Sequence, residues 1–421
     1  MFARLHLHGP TASPSADRSN LRCNLLRHKV FSCSTFAYSF CEAKRKMTDT
    51  GVGYTPNDDG NGEEFMEEPA LRFVAPLVEG RPPAARGGHT SALVNDDTIV
   101  LFGGTYFEGD GVFTYCNDVW CLDLGAMTWY QPKVAKGPAP AGRYGHTATL
   151  IGKEWFIFGG RGAKGKHFKD MWRLDMSKGT FRWDRISSAT APPAARMGHA
   201  QVLIGDKIVI FGGYDERQTY GDLWVFDTAA MTWLRPRTAG RPPSPRYNHT
   251  MELLPDGRIL VFAGYNTVAK KGSEYLQDVR ELDTETMVWS RPRVVGEFPE
   301  KRMQHRTCMM GRQMVMFGGW TGVKQKDWSN KDKDNKDGDD GVAKSSKSLL
   351  CLDTDSMEWF YPTFGGPEPE RLYGHTITRV GTSLFLIGGW DGTRPLNEVV
   401  VLEFPPPDDS PEGGEAVYDE E

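Results

Sequence analysis

Arg196-Met-Gly-His199, Ile208-Val-Ile-Phe-Gly-Gly213, Asp222-Leu-Trp-Val-Phe-Asp227 and Thr232-Trp233, met in that order, decide the fold. The same string recurs along the chain. Its histidines are His89, His146, His199, His249, His305 and His375, at intervals of 57, 53, 50, 56 and 70 residues. The glycine pairs are Gly103–Gly104, Gly159–Gly160, Gly212–Gly213, Gly318–Gly319 and Gly388–Gly389, with Ala263–Gly264 in the fourth copy. Asp118, Asp170, Asp222 and Asp278 open the third segment, and Ser348 and Glu398 stand there in the last two copies. Trp129, Trp183, Trp233, Trp289 and Trp359 close five copies.

Each part of the string has a physical reading. Ile99-Val-Leu-Phe, Ile208-Val-Ile-Phe and Ile259-Leu-Val-Phe are apolar without alternation, as suits strands packed on both faces. The glycine pair allows positive φ where backbones crowd at the end of that strand. The Asp-Val-Trp-x-Leu-Asp segment alternates polar with apolar, which predicts a half-exposed third strand. The tryptophan of the fourth strand supplies a large apolar area between neighbouring sheets. One copy cannot bury its own faces, so the copies must stack into a closed ring.

The sequence also says how the ring shuts. The sixth copy, Leu372–Phe404, has three strands and no tryptophan after them. Its missing strand lies at the other end, where Phe73-Val-Ala-Pro76 and Gly80-Arg-Pro-Pro83 copy the spacing of Trp233-Leu-Arg-Pro236 and Gly240-Arg-Pro-Pro243. Residues Leu71–Pro76 are expected to pair with the last sheet.

These six recurrences, over residues 70–404, resemble the kelch-repeat family, whose blades have this length. The Arg-x-x-His-Thr form looks most like kelch proteins of the Rab-effector and host-cell-factor type. The resemblance implies an all-β, six-bladed kelch β-propeller, its last blade closed by the strand near residues 71–76. Departures from the pattern are Ala263 for the first glycine, Arg280 for the usual aromatic, and Leu372 where arginine is expected.

Outside the propeller the composition changes. Residues 1–46 hold eight basic and two acidic residues. Two readings are open: a transit peptide that sends the chain to an organelle, or an unused extension ahead of Met47. Residues 47–69 form an acidic linker, residues 321–347 a Lys/Asp-rich insertion and residues 405–421 an acidic tail, all expected to be disordered. The remaining body carries only a mild positive charge, unlike the dense basic stripe of nucleic-acid binders. No apolar run is long enough to span a bilayer. The 7 cysteines follow no paired framework, which suits a reducing compartment. A cytoplasmic monomer is the expectation.

Chemistry is sparse. Six of the 10 histidines are the repeat position, and six spread around a ring cannot converge on one metal. Gly160 to Lys166 fits a phosphate-loop spacing, but His167 replaces the hydroxyl residue and a strand follows. Lys333 to Gly338 echoes a calcium loop, yet Lys333 and Lys344 occupy ligand positions that need oxygen. Asn248-His-Thr250 is a glycosylation sequon in letters only, set inside the repeat core. No catalytic residue, metal ligand or cofactor is predicted. Within the resembled family, the copper-oxidase cofactor and the iron-dependent specifier motif are absent. No motif excludes the sialic-acid mutarotases, so a small-molecule enzyme with a pocket at the pore mouth is the alternative.

The loops before the first strand and after the second share one face in an up-down blade. Arg86, Arg143, Arg196, Arg246 and Arg302 recur there, and Tyr106, Arg161, Tyr214, Tyr265, Trp320 and Trp390 follow the glycines. Tyr, Trp and Arg dominate binding hot spots, and guanidinium forks suit carboxylates. These eleven residues are the candidate partner-binding set, for an acidic or aromatic-containing segment of another protein on a non-catalytic scaffold. The competing reading makes each arginine a structural part of its repeat, hydrogen-bonded to a neighbouring blade.

Overall fold

A computed structural model describes residues 71–108, 112–268, 272–322, 348–369 and 371–405. The leader, the acidic linker, most of the insertion with its calcium-loop echo, and the acidic tail lie outside the described residues. The described chain is built from strands, and its one helical element there is a single 3-10 turn at Ala163–Gly165.

Six antiparallel sheets form the blades. Their inner strands are Thr90–Val94, Thr147–Ile151, Ala200–Ile204, Thr250–Leu253, Arg306–Met310 and Thr376–Val380, here blades 1 to 6. Each inner strand touches the inner strands of both neighbours, and Thr376–Val380 returns to Thr90–Val94, so the ring is closed around a central channel. In blade 6 the fourth strand is Leu71–Val74, with Phe73 opposite Leu402 and Val74 opposite Val401. The closing strand is the one the sequence predicts.

The core lies between blades. Trp183 of blade 2 packs on Phe102 of blade 1 at 5.0 Å between ring centres, Trp233 on Phe158 at 4.8 Å, Trp289 on Phe211 at 5.4 Å and Trp359 on Phe262 at 5.0 Å. At the closure Phe73 takes the tryptophan's place against Phe317, 5.6 Å away. Each indole removes roughly 150–250 Å² from water, about 4–6 kcal/mol as an upper figure.

Blades are linked by a crossover that adds a short parallel rung outside the fourth strand. Glu79–Gly80 pairs with Thr128 and Trp129, Ala239–Gly240 with Val288 and Trp289, and Phe364–Gly365 with Leu71 and Arg72. A side chain at Gly240 would sit 2.1 Å from the Trp289 carbonyl oxygen, at a φ of +79°. The Gly-Arg-Pro-Pro stretches at residues 80–83 and 240–243 are the mark of this crossover.

The half-exposed third strand needs correction. Val119–Asp123 and Leu349–Asp353 are buried over their first four residues, because both faces lie under adjacent blades. Only their terminal aspartates reach water to any degree.

Candidate interaction rim

The repeat arginines are not on the surface. Arg86, Arg143, Arg196, Arg246 and Arg302 are all 2% exposed or less. Arg143 Nη1 donates to Asp170 Oδ1 at 2.8 Å and to the Gly159 carbonyl at 2.9 Å, and Nη2 donates to Asp170 Oδ2 at 3.1 Å. Arg86, Arg196 and Arg246 make the same fork to Asp118, Asp222 and Asp278. All four partners belong to the arginine's own blade. The main chain of the same residue ties the preceding blade: Arg143 N donates to Cys116 O at 3.0 Å, and its carbonyl accepts from Gly104 N at 2.8 Å. Each arginine is therefore an inter-blade fastener, joined to its own blade by side chain and to its neighbour by backbone. As surface groups for a partner these five residues are withdrawn.

The aspartates take a second donor from the third strand. Trp120, Trp172 and Trp224 each donate an indole N–H at 2.7 Å to the aspartate two places earlier. Arg280, the odd residue in blade 4, donates Nε to Asp278 at 3.0 Å in the indole's stead. Burial pushes these carboxyls up, but the arginine's hydrogen bonds and charge outweigh it and hold them below the usual range. Arg302 is the exception. Ser348 stands in the aspartate's position, no described carboxylate lies in ion-pair range, and burial pulls the guanidinium down to about 10. In blade 6 Leu372 joins the apolar core instead.

The rim itself is built by six short antiparallel contacts. Each joins the residue after the arginine position to the residue after the glycine pair: Gly87 to Thr105, Tyr144 to Arg161, Met197 to Tyr214, Tyr247 to Tyr265, Met303 to Trp320, and Tyr373 to Trp390. Arg161, Tyr214, Tyr265, Trp320 and Trp390 are thus brought to one face as expected, all half-buried. Tyr106 is one place out of register. Thr105 makes the rim contact, and Tyr106 lies along the hairpin Thr105–Glu108/Val112–Tyr115.

Sequence reasoning missed the other half of each pair. Tyr144, Tyr247, Met303 and Tyr373 follow the arginine position directly, so the Arg-x-x-His register carried the signal. Tyr247 and Tyr373 join Tyr214, Tyr265, Tyr275, Trp320 and Trp390 in an arc of rings over blades 3 to 6. Tyr214 stacks on Tyr247 at 4.8 Å, Tyr265 meets Tyr247 edge-on at 5.5 Å and Tyr275 at 4.7 Å, and Trp320 meets Tyr373 at 5.4 Å. A side chain on Gly322, two residues after Trp320, would lie 2.3 Å from the Tyr275 ring. Trp390 carries the arc over to blade 1, where a side chain on Gly87 would lie 2.3 Å from its indole. Gly87 is small because Trp390 covers it.

Charge on this rim is modest. Arg161 is engaged by Glu216 and donates to the Tyr144 hydroxyl at 3.3 Å. The Gly160–Lys166 stretch is a blade loop holding the 3-10 turn, and the strand Met171–Asp175 follows it. Two tall hairpins flank the face from opposite blades: Thr105–Glu108/Val112–Tyr115 on blade 1 and the Arg258–Val268/Gly272–Asp283 extension on blade 4. The first exposes Phe107, Val112 and Phe113, with the two rings 5.4 Å apart.

The repeat histidines are buried between blades and held neutral. Burial, then the adjacent arginine, pulls His89 and His199 down to about 3. Among the described residues no group of three or more His, Cys, Asp or Glu could hold a metal ion. Nor is any described helix long and apolar enough to cross a membrane.

Six blades closed into a ring, four of them fastened by an Arg–Asp fork, define a kelch β-propeller with an aromatic upper rim. The chain belongs to the kelch-repeat family: the model of the KLHDC2/KLHL20/DRC7 Kelch-repeats domain matches residues 70–200 and 179–335. It is 28% identical over 339 residues to the host cell factor of Drosophila melanogaster, covering 75% of this chain and 21% of that protein. It is 26% identical over 349 residues to human host cell factor 1, covering 75% of this chain and 16% of that protein. Human Kelch domain-containing protein 3 is 29% identical over 260 residues, covering 59% of this chain and 64% of the relative. The chain thus spans about a fifth of the Drosophila host cell factor and about a sixth of human host cell factor 1.

Proposed function

We propose that this propeller is a non-catalytic protein-interaction module that holds an extended segment of a partner protein across its upper rim. The observation that carries this reading is the arc of half-buried rings from Tyr214 to Trp390. Tyrosine and tryptophan offer large contact area at little entropic cost, and a rigid scaffold presents them without rearrangement. The flanking hairpins on blades 1 and 4 favour an extended ligand lying between them. An aromatic or apolar residue of the partner suits this surface better than an acidic one, since the repeat guanidinium groups are engaged below it.

Affinity purification with the intact chain tests the reading. A Tyr247→Ala/Trp320→Ala variant should keep its thermal midpoint close to that of the wild type and lose the partners the wild type retains. If a folded double variant captured the same partners, the rim would not be the binding face. Arg143→Glu is unsuited to this test, because it would break a blade fastener.

A further inference from the structure

A belt of hydroxyl–imidazole contacts runs around the channel just below the rim. Thr90 meets His146 Nε2 at 2.9 Å, Thr147 meets His199 Nε2 at 2.7 Å, Thr250 meets His305 Nε2 at 3.1 Å, and Thr376 meets His89 Nε2 at 3.4 Å. Each contact joins the first residue of one inner strand to the repeat histidine of the next blade. Two links are missing. The first residue is Ala200 in blade 3 and Arg306 in blade 5, and the next histidines, His249 and His375, each keep an Nε2 with no hydrogen-bond partner.

The two gaps differ in chemistry. Ala200 only removes a hydroxyl. Arg306 replaces it with a guanidinium whose one hydrogen bond among the described residues is a long Nη1 contact of 3.4 Å to the His305 carbonyl. No described carboxylate lies within ion-pair distance of it. Its charge acts on His89, His146, His305 and His375, in blades 1, 2, 5 and 6. Arg306 opens the inner strand of blade 5 in the register that Thr90, Thr147, Thr250 and Thr376 hold in theirs, which sets its side chain toward the space the ring encloses. The side chain is half-buried, and desolvation lowers its pKa to about 10, which leaves it cationic at neutral pH. A charge so placed is costly unless a counter-charge meets it.

The belt sets Arg306 against His375 as it sets Thr250 against His305. A neutral imidazole donates from Nε2 when its proton sits there, and a guanidinium fork matches two oxygens of an anion. We propose that the channel binds a small oxyanion, of carboxylate or phosphate type, held by the Arg306 guanidinium and the Nε2–H of His375. The site is separate from the aromatic rim and does not depend on how the rim is used.

Thermal unfolding of the full chain at fixed ionic strength, titrated separately with sodium acetate and with sodium phosphate, tests the proposal. The wild-type midpoint should rise saturably with at least one probe, and the responding probe identifies the oxyanion. Arg306→Thr supplies the belt residue of four other copies, so the fold is kept. It should weaken the apparent affinity about tenfold or more, the scale of a lost charged hydrogen bond. Ala200→Thr closes the other gap and should leave the response unchanged. The site is refuted if neither probe gives a saturable rise, or if Arg306→Thr responds as the wild type does. It is equally refuted if Ala200→Thr abolishes the response.

Discussion

Arg143 and Asp170 are joined by two parallel hydrogen bonds, of 2.8 and 3.1 Å, across a blade whose neighbour is held by the backbone of that same arginine. Removing the guanidinium strands a carboxylate that is only 16% exposed. Arg143→Leu is therefore expected to cost about 3–5 kcal/mol, the usual penalty for breaking a buried pair from one side. Arg302→Leu strands no carboxylate, and Leu372 already fills the same position in blade 6. It should fall within about 1.5 kcal/mol of wild type. Urea unfolding of both variants is the check, and equal losses would show that the fork is not what matters.

Ser348 supplies the converse experiment. Ser348→Asp would place a carboxylate where the other blades have one, opposite the Arg302 guanidinium. A charge-assisted fork of that kind should add about 1–3 kcal/mol at neutral pH. The four natural aspartates have depressed folded-state pKa values. Their stabilisation is present above the ordinary carboxyl range and is lost as pH falls through the folded value. The gain from Ser348→Asp should fade in the same acid window. A variant no more stable at pH 7 than at pH 3, relative to wild type, would count against it.

Glu252 should give the opposite pH dependence. It lies on the inner strand of blade 4, accepts a hydrogen bond from Thr307 at 2.6 Å, and is pushed up to about 7 by burial. A raised carboxyl pKa contributes stability below about pH 4.5 that is lost as pH rises through 7. Glu252→Gln keeps the hydrogen-bonding shape without the ionisation. Its stability relative to wild type should climb between pH 5 and pH 8, followed by thermal midpoints at each pH. Parallel curves would mean that Glu252 titrates like a surface residue.

Phe73 holds the ring shut. It is fully buried against Phe317 and Phe364, and a side chain on Gly366 would lie 2.0 Å from its carbonyl oxygen. Phe73→Ala should cost about 3–5 kcal/mol. Hydrogen exchange should quicken first at Val401–Glu403, the strand it pairs with. Faster exchange confined to another blade would place the weak seam elsewhere.

The repeat string was enough to read six blades, the inter-blade tryptophans and the closing strand, because apolar runs, glycine pairs and spacing are local properties that recur. Phe73 was legible as a displaced tryptophan for the same reason. The candidate site was only half legible. Arg161, Tyr214, Tyr265, Trp320 and Trp390 were found by position after the glycines. Tyr144, Tyr247, Met303 and Tyr373 were missed, since one residue beside an arginine carries no periodicity of its own.

By itself, the order of residues determined the number of sheets, their sequence around the axis and where the ends meet. Only the tertiary structure decided what the arginines do. An arginine in a loop reads as a surface cation until an aspartate some 27 residues later is seen beside it, as Asp170 is beside Arg143. The belt of Thr and His, and the Arg306 that interrupts it, exist only once blades far apart in the chain face a common channel. Pairings across space depend on closure of the ring, and no local pattern encodes them.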